Sequence, residues 1–225
     1  MKKTLVPYRE DYQPQFSRHA IHHLPGMSGL RQRSVDVSKL SGAGFLSGRR
    51  KRDGFAGFLK NANGETEVTR IFEAKRLLEA GVSPDRPVKV AWQPFRTTPL
   101  LEAAIAGEQA LVAMLLDGKA DPNLVVGPGL TAVYEAGRNG HAAVVQCLCN
   151  RGASVDTITS DGFSPLYIAS QNGHAECVAA MLASPSCSAA VANCAPEELG
   201  GATALHVACQ SGSLAVVEHL LRCDG

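Results

Sequence analysis

The sequence predicts an all-α solenoid of stacked helix–turn–helix units, preceded by a basic and largely disordered N-terminal arm. Three observations lead to this fold class. A six-residue motif recurs after 33, 33 and 39 residues, and a glycine and an apolar stripe follow each copy at fixed distances. Aromatic residues make up only 5% of the chain, fewer than a large sheet-based core usually needs. The 225 residues are 45% hydrophobic, which is enough to build a buried core.

Residues 1–60 are the predicted arm. They lack a sustained hydrophobic period and carry 12 Lys and Arg residues against 4 Asp and Glu residues, so we expect little stable structure there. The densest basic run consists of Arg49, Arg50, Lys51 and Arg52. It is either a nuclear-import patch or a solvated run of charge. Residues 61–225 carry 10 basic residues against 17 acidic ones, and this balance argues against nucleic-acid binding by the repeat body.

Residues 61–97 are predicted to form a degenerate N-terminal repeat or cap, followed by an insertion at about residues 86–97. Residues 71–81 have the pattern of a second helix that ends at Gly81, and we expect the matching first helix near residues 60–69. The insertion contains Trp92 and Phe95. These two side chains are either an aromatic anchor for a partner or a plug over the core of the following unit.

Four units follow, over residues 98–130, 131–163, 164–202 and 203–225, of which the last is incomplete. Each opens with a hydroxyl residue that can cap the first helix, and Pro at the first turn costs no backbone hydrogen bond. A glycine nine residues later is expected to take a positive φ and turn the chain into a second helix with an apolar stripe. One such unit buries little surface alone, so the units must stack. The hydroxyl residues are Thr98, Thr131, Ser164 and Thr203, and the glycines are Gly107, Gly140, Gly173 and Gly212.

These units resemble ankyrin repeats. The resemblance lies in the Thr-Pro-Leu-type opening, in the Asn-Gly-His turns at 139–141 and 172–174, and in the paired valines at 144–145 and 216–217. It covers about residues 98–225. It implies stacked antiparallel helix pairs with projecting loops and a role in binding protein partners.

The resemblance also implies where a partner binds, namely on the first helices, which line the concave face, and on the loop tips. The candidate tips are residues 125–129, 157–161 and 185–201. Three of the first-helix candidates replace a motif His that is kept at His206, and they are either core-packing or contact residues. His141 and His174 are expected to stabilise the turns through a hydrogen bond. The candidate partner-binding residues are Trp92, Phe95, Leu101, Glu102, Tyr134, Glu135, Arg138, Tyr167, Ile168 and Gln171.

We therefore expect a protein-interaction scaffold and not an enzyme, because no Gly-x-Ser-x-Gly elbow, P-loop or His-Glu-x-x-His motif is present. No cofactor, metal or small-molecule ligand is expected, and no membrane span is apparent. The alternative is a regulatory or targeting fragment of a larger enzyme or ubiquitin-ligase adaptor, since no polar capping repeat follows the fourth unit. Seven cysteines without a Cys-x-x-Cys pair, and no apolar leader, favour the cytoplasm or the nucleus.

Overall fold

The computed structural model describes residues 54–60, 67–90, 93–187 and 201–222. Most helices in these ranges come in pairs that are joined by a short turn. The N-terminal elements are α1 (Phe55–Lys60), α2 (Glu67–Glu79), β1 (Val88–Lys89) and β2 (Arg96–Thr97). The first two motif-bearing units contain α3 (Pro99–Ala106) with α4 (Gln109–Asp117), and α5 (Ala132–Asn139) with α6 (Ala142–Asn150). The third and fourth units contain α7 (Pro165–Gln171) with α8 (Ala175–Leu182), and α9 (Ala204–Gln210) with α10 (Leu214–Arg222).

The start of each first helix is fixed by the predicted hydroxyl cap. The side chain of Thr98 accepts a hydrogen bond from the Leu101 N–H at 3.2 Å, and the equivalent residues of the other three units do the same at 3.1–3.4 Å. Such a bond satisfies one of the amides that a helix start leaves without an intrahelical partner. The predicted caps are thus confirmed at all four positions.

The turn between the two helices of a unit depends on the glycine that follows the first helix. Gly107 and Gly140 have φ values of 77° and 78°, and Gly173 and Gly212 have 75° and 71°. Residues with a Cβ rarely adopt this left-handed conformation, which explains why glycine recurs at this position. The prediction from the nine-residue spacing is therefore confirmed.

Stacking joins the units into one core. The first helices pack on one another, and so do the second helices, from one unit to the next. The apolar stripe of the second helices is fully buried in the first three units, where it includes Val112, Val145 and Val178. A single cluster of buried residues runs from Phe55 to Leu220. The mostly helical stacked architecture that the spacing predicts is the one that the structure has.

The N-terminal pair corrects one expectation. Its first helix is α1 at Phe55–Lys60, so the prediction of a helix near residues 60–69 is wrong, and residues 67–69 already belong to α2. The reason is the apolar face formed by Phe55, Phe58 and Leu59, all three of which are buried in the core. Residues 54–60, which the charge pattern assigns to the arm, are therefore part of the folded array.

A buried cation ties this N-terminal pair to the first unit. The guanidinium of Arg70 lies over the Phe58 ring, 5.3 Å from its centroid. The same guanidinium forms an ion pair with Glu108 at the turn of the first unit. A cation over an aromatic face is attracted by the ring quadrupole, which stabilises Arg70 away from water.

The insertion after α2 adds a small feature that the all-α prediction lacks. Strands β1 and β2 pair antiparallel, with Val88 opposite Thr97 and Lys89 opposite Arg96. The pairing brings the chain directly into the capping residue Thr98. Among the helices of the described residues, none combines the length and the apolar character that a membrane span requires.

Candidate functional site

Several first-helix residues that were expected to be exposed lie inside the array. Glu135 and Ile168 are buried, so the expectation that they line an open surface is wrong, and Leu101, Tyr134 and Tyr167 are buried as well. Tyr134, Tyr167 and Ile168 lie in one cluster with Val207 of the fourth unit, and the spacing within one unit does not reveal this. For the three residues that replace the motif His, core packing is the alternative that the structure supports.

Two of the residues that replace the motif His, Tyr134 and Tyr167, help to form a second apolar cluster. The rings of Tyr167 and Phe163 lie with their centroids 5.3 Å apart and are tilted by 50°. Tyr134, Ile168 and Val207 complete the cluster, which therefore contains residues of the second, third and fourth units. Burial is the main reason that the pKa of Tyr134 is raised to about 12. These aromatic residues hold adjacent units together.

Glu135 is the most deeply buried carboxylate at this surface, with 2% of its side chain exposed. Its Oε1 atom lies 3.3 Å from the Arg138 guanidinium, and the Asn139 side-chain amide donates a 2.8 Å hydrogen bond to the Glu135 carbonyl. Burial raises the pKa of Glu135, and the charge of Glu102 adds to this rise, while Arg138 opposes it. Arg138 is therefore held in a defined position beside a carboxylate that it partly neutralises.

Three of the first-helix candidates remain accessible. Glu102, Arg138 and Gln171 are half-buried and lie on α3, α5 and α7, which are the first helices of three successive units. Glu102 lies four residues after the helix cap of its unit, and Arg138 and Gln171 lie seven residues after theirs. Positions three residues apart share one helix face. We call these three residues, one on each of three successive first helices, the polar row.

The loop tips form the second accessible region. In the first unit the loop closes on itself through two 2.9 Å hydrogen bonds between the backbones of Val126 and Leu130. In the second unit the Thr159 hydroxyl accepts from the Phe163 N–H at 3.1 Å. The predicted tips at 125–129 and 157–161 are therefore ordered turns, whereas most of the third candidate tip, 185–201, lies outside the described residues.

Phe95 belongs to the same region as the loop tips. Its ring packs on the first tip, where a Cβ built on Gly127 would lie only 2.7 Å from the ring. Phe95 is half-buried, so part of the ring remains accessible to a partner. Trp92 and the basic patch of Arg49, Arg50, Lys51 and Arg52 lie outside the described residues.

The two turn histidines join successive units. The His141 Nε2 atom lies 3.0 Å from the Ile105 carbonyl oxygen of the preceding unit, so the expected hydrogen bond is confirmed there. Its ring covers Gly107, and the His174 ring covers Gly140 in the same way. A side chain larger than hydrogen at either glycine would collide with the imidazole.

Asn123 was not among the candidate partner-binding residues, although it links two units. Its side-chain amide donates to the Gly152 carbonyl at 3.1 Å, and its side-chain oxygen accepts from the Ser154 N–H at 2.7 Å. The signal that could have identified it is the recurrence of a short polar residue at the same place in successive units, at Asp85, Asn123 and Asp156. This bridge fixes the base of the loops.

The described residues offer little for metal or thiol chemistry. Among them, no group of three or more His, Cys, Asp and Glu side chains is placed to hold a metal ion. Cys149 and Cys177 are buried, and burial raises the pKa of Cys177 to about 11. A thiol with a raised pKa carries little of the nucleophilic thiolate at neutral pH, so these cysteines act as core residues.

Comparison with known proteins identifies a family. A family model described as ankyrin repeats (3 copies) matches residues 100–193 and 154–225, which together make up more than half of the chain. These ranges begin within α3 and extend past α10. No curated protein matches the chain.

Proposed function

Because the chain belongs to the ankyrin repeat family, we propose that it is a protein-interaction scaffold and not an enzyme. It holds a partner protein on the first helices and loop tips of its stacked units. It acts by surface complementarity, and the surface side chains select the partner, because the fold alone does not determine function. The observation that carries this proposal is the accessible polar row of Glu102, Arg138 and Gln171 on three successive units.

The surroundings of this row favour binding. Its helices rest on a continuous buried core, so their backbones do not need to become ordered when a partner arrives. Arg138 is already positioned by Glu135, which reduces the side-chain entropy that it loses on binding. Arginine is also enriched among the residues that dominate binding energy.

Affinity capture from the native cells, followed by mass spectrometry, tests this proposal. The informative variant is Glu102→Ala with Gln171→Ala, which changes the row but keeps Arg138, because removing Arg138 would leave Glu135 buried without its cation. The matched control is Gln146→Ala with Glu176→Ala, on the exposed faces of the second helices. Circular dichroism verifies that both variants fold.

We expect the wild type and the control to recover a common set of proteins that the row variant recovers weakly or loses. If the row variant recovers the same set in full, the first helices are not the binding surface. If both variants lose the set equally, the binding does not depend on this face.

Two further proposals concern regions outside the described residues. The basic patch at residues 49–52 is proposed to direct nuclear import, and replacing its four residues with Ala should redistribute a fluorescent fusion. An unchanged distribution would make the patch an ordinary solvated run of charge. The alternative of a larger enzyme or ubiquitin-ligase adaptor is decided by sequencing the full transcript for a catalytic domain or adaptor box.

A further inference from the structure

The insertion after α2 is the basic part of an otherwise acidic body. Residues 86–97 contain three of the ten basic residues of positions 61–225 and none of the 17 acidic ones. The three basic residues are Arg86, Lys89 and Arg96, and all of them are exposed. The stretch includes β1 and β2, so the positive charge is concentrated on one small hairpin.

Two of these cations form a cross-strand pair. Lys89 and Arg96 stand directly opposite each other on β1 and β2. Side chains at directly opposite positions of an antiparallel pair project to the same face, with their Cβ atoms about 4.5–5.5 Å apart. Like charges at such a distance weaken the pairing of the strands, and a negative charge placed beside both would remove this repulsion.

These cations differ from most arginines of the body in that they have no acidic partner. Four arginines form an ion pair with a carboxylate, namely Arg70, Arg138, Arg151 and Arg222. Within the part of the chain that the structure describes, no acidic side chain forms such a pair with Arg86, Lys89 or Arg96. The acidic residue next to them in the chain is Asp85, whose Oδ1 atom instead accepts a 3.0 Å hydrogen bond from the Asp121 N–H. The hairpin cations are therefore available to an anion of a partner.

The charge of the remaining body restricts what this anion can be. Duplex DNA carries about one negative charge per 1.7 Å, so it would extend from the hairpin onto the acidic repeats and be repelled by them. A short protein segment can place two carboxylates at the hairpin and remain uncharged on either side. Two adjacent carboxylates also match the two cations of the cross-strand pair one for one, and a guanidinium can bind a carboxylate through two parallel hydrogen bonds.

An accessible aromatic ring lies next to the cations. Phe95 directly precedes Arg96 and is half-buried. Its ring packs on Gly127 of the first loop tip, which holds it in place. The exposed part of the ring therefore offers a fixed apolar surface beside the hairpin, and such a surface suits a large apolar side chain of the same partner segment. We call Arg86, Lys89, Phe95 and Arg96 the basic hairpin.

We propose that the basic hairpin binds a segment of the partner protein that has two adjacent Asp or Glu residues next to a large apolar residue. This inference rests on the proposed scaffold function and adds the chemical class of the partner. The two carboxylates pair with Lys89 and Arg96, and Arg86 adds a third positive charge close by. The apolar side chain of the segment packs against the exposed part of Phe95.

The test uses fluorescence anisotropy with fluorescein-labelled probes and the full chain. The probe peptide is Gly-Ser-Glu-Glu-Phe-Ser-Gly. One control peptide has Gln in place of both Glu residues, a second has a single phosphoserine in their place, and a third probe is a short single-stranded DNA. The protein variant is Lys89→Gln with Arg96→Gln. Its matched control is Lys75→Gln with Lys119→Gln, which removes the same charge from two exposed lysines outside the hairpin.

We expect the probe peptide to bind the wild type and the control variant equally, and to bind the hairpin variant about fivefold more weakly. Binding should weaken as salt is added, and the Gln peptide should bind weakly to every form. Absence of probe binding, equal loss in the two variants, equal binding of the Gln peptide, or tighter binding of the phosphoserine peptide or the DNA would each overturn the inference. The capture experiment with the Glu102 and Gln171 variant is independent, so the inference can fail while the scaffold function stands.

Discussion

The junctions between the first three motif-bearing units differ from the last junction. At the two middle junctions, a histidine at the start of the second helix covers the glycine turn of the preceding unit, as His141 does over Gly107. At the last junction, Ser213 stands at the corresponding place over Gly173. A hydroxymethyl group offers far less contact area than an imidazole ring, so the fourth unit is held by a weaker version of the same contact.

The burial of equivalent residues shows the same difference. The position three residues after the cap is buried at Leu101, Tyr134 and Tyr167 but exposed at His206. Within the described residues, α9 and α10 pack mainly on the helices of the third unit, whereas the second and third units have neighbours on both sides. Since the stability of a solenoid is close to a sum over units and their interfaces, we infer that local stability is highest in the middle units and lowest in the fourth.

The largest expected effect is the loss of stability when the same core leucine is truncated in two different units. Leu148 in the second unit and Leu220 in the fourth both lie seventeen residues after the cap and are both buried. We expect Leu148→Ala to cost about 4 kcal/mol and Leu220→Ala about 2 kcal/mol, because the fourth unit can relax around the cavity more easily. Urea denaturation followed by circular dichroism measures both. Equal losses would mean that the two regions are equally well packed.

Removal of a turn histidine should have a smaller effect. We expect His141→Ala to lower the free energy of unfolding by about 1–2 kcal/mol, because the variant loses the ring contact and leaves the Ile105 carbonyl without that partner. Ser213→Ala serves as the matched control and should change stability by less than about 0.5 kcal/mol. Thermal unfolding measures the pair. If both substitutions lower the free energy of unfolding equally, the histidine does not make its junction more stable than the last one.

The reverse change should strengthen the last junction. Ser213→His introduces the residue that the two middle junctions carry, and we expect a gain of about 0.5–1 kcal/mol. Limited proteolysis is a sensitive measure, since cleavage within the fourth unit should slow while cleavage elsewhere stays the same. Faster cleavage would show that the fourth unit does not accommodate the ring as the other units do.

The smallest expected effect depends on pH. Four residues after the cap, the second unit has the buried carboxylate of Glu135 where the fourth has the buried Val207. Because the folded state raises the pKa of Glu135 above its ordinary value of 4.5, folding favours the protonated form. Its contribution to stability is therefore fully present below pH 4.5 and is lost as the pH rises through the pKa that Glu135 has in the folded state.

The variant Glu135→Gln isolates this contribution. We expect its stability relative to the wild type to increase as the pH is raised from below 4.5 toward neutrality, as measured by urea denaturation at several pH values. Val207→Ala is the control, because its loss should not change with pH. If the difference in stability between Glu135→Gln and the wild type is the same at every pH, folding does not shift the pKa of this carboxyl.

The parts of this structure that could be predicted from the sequence depend on local contacts. The Thr98 cap, the Gly107 turn and the Val112 stripe lie within one unit, so their spacing alone identifies them. The burial of Ile168 could not be foreseen in this way, because it packs in a cluster that includes Tyr134 and Val207 of the neighbouring units. This is why residues that were expected to be exposed proved to be core residues.

The sequence pattern did not predict contacts between residues that are far apart in the chain either. The Arg70–Glu108 ion pair spans 38 residues and the Asn123–Ser154 hydrogen bond spans 31. The helix at Phe55–Lys60 was missed because it lacks the opening motif and follows a basic segment. The predicted tips at 125–129 and 157–161 are turns in the structure, but which side chains of the first tip point outward depends on the turn geometry that the Val126–Leu130 pairing sets.

Amide hydrogen exchange of the loop tips, followed by NMR, tests most directly whether the first and second units present a preorganised surface. Ser160 and Leu130 donate backbone hydrogen bonds that hold the two tips, and Val217 donates one to the Ser213 carbonyl at the start of α10. We expect the Ser160 and Leu130 amides to exchange nearly as slowly as those of α5 and α6, and the Val217 amide to exchange sooner. Exchange of Ser160 and Leu130 at the rate of an unstructured chain, with Val217 the best protected, would contradict a rigid middle and a looser last unit.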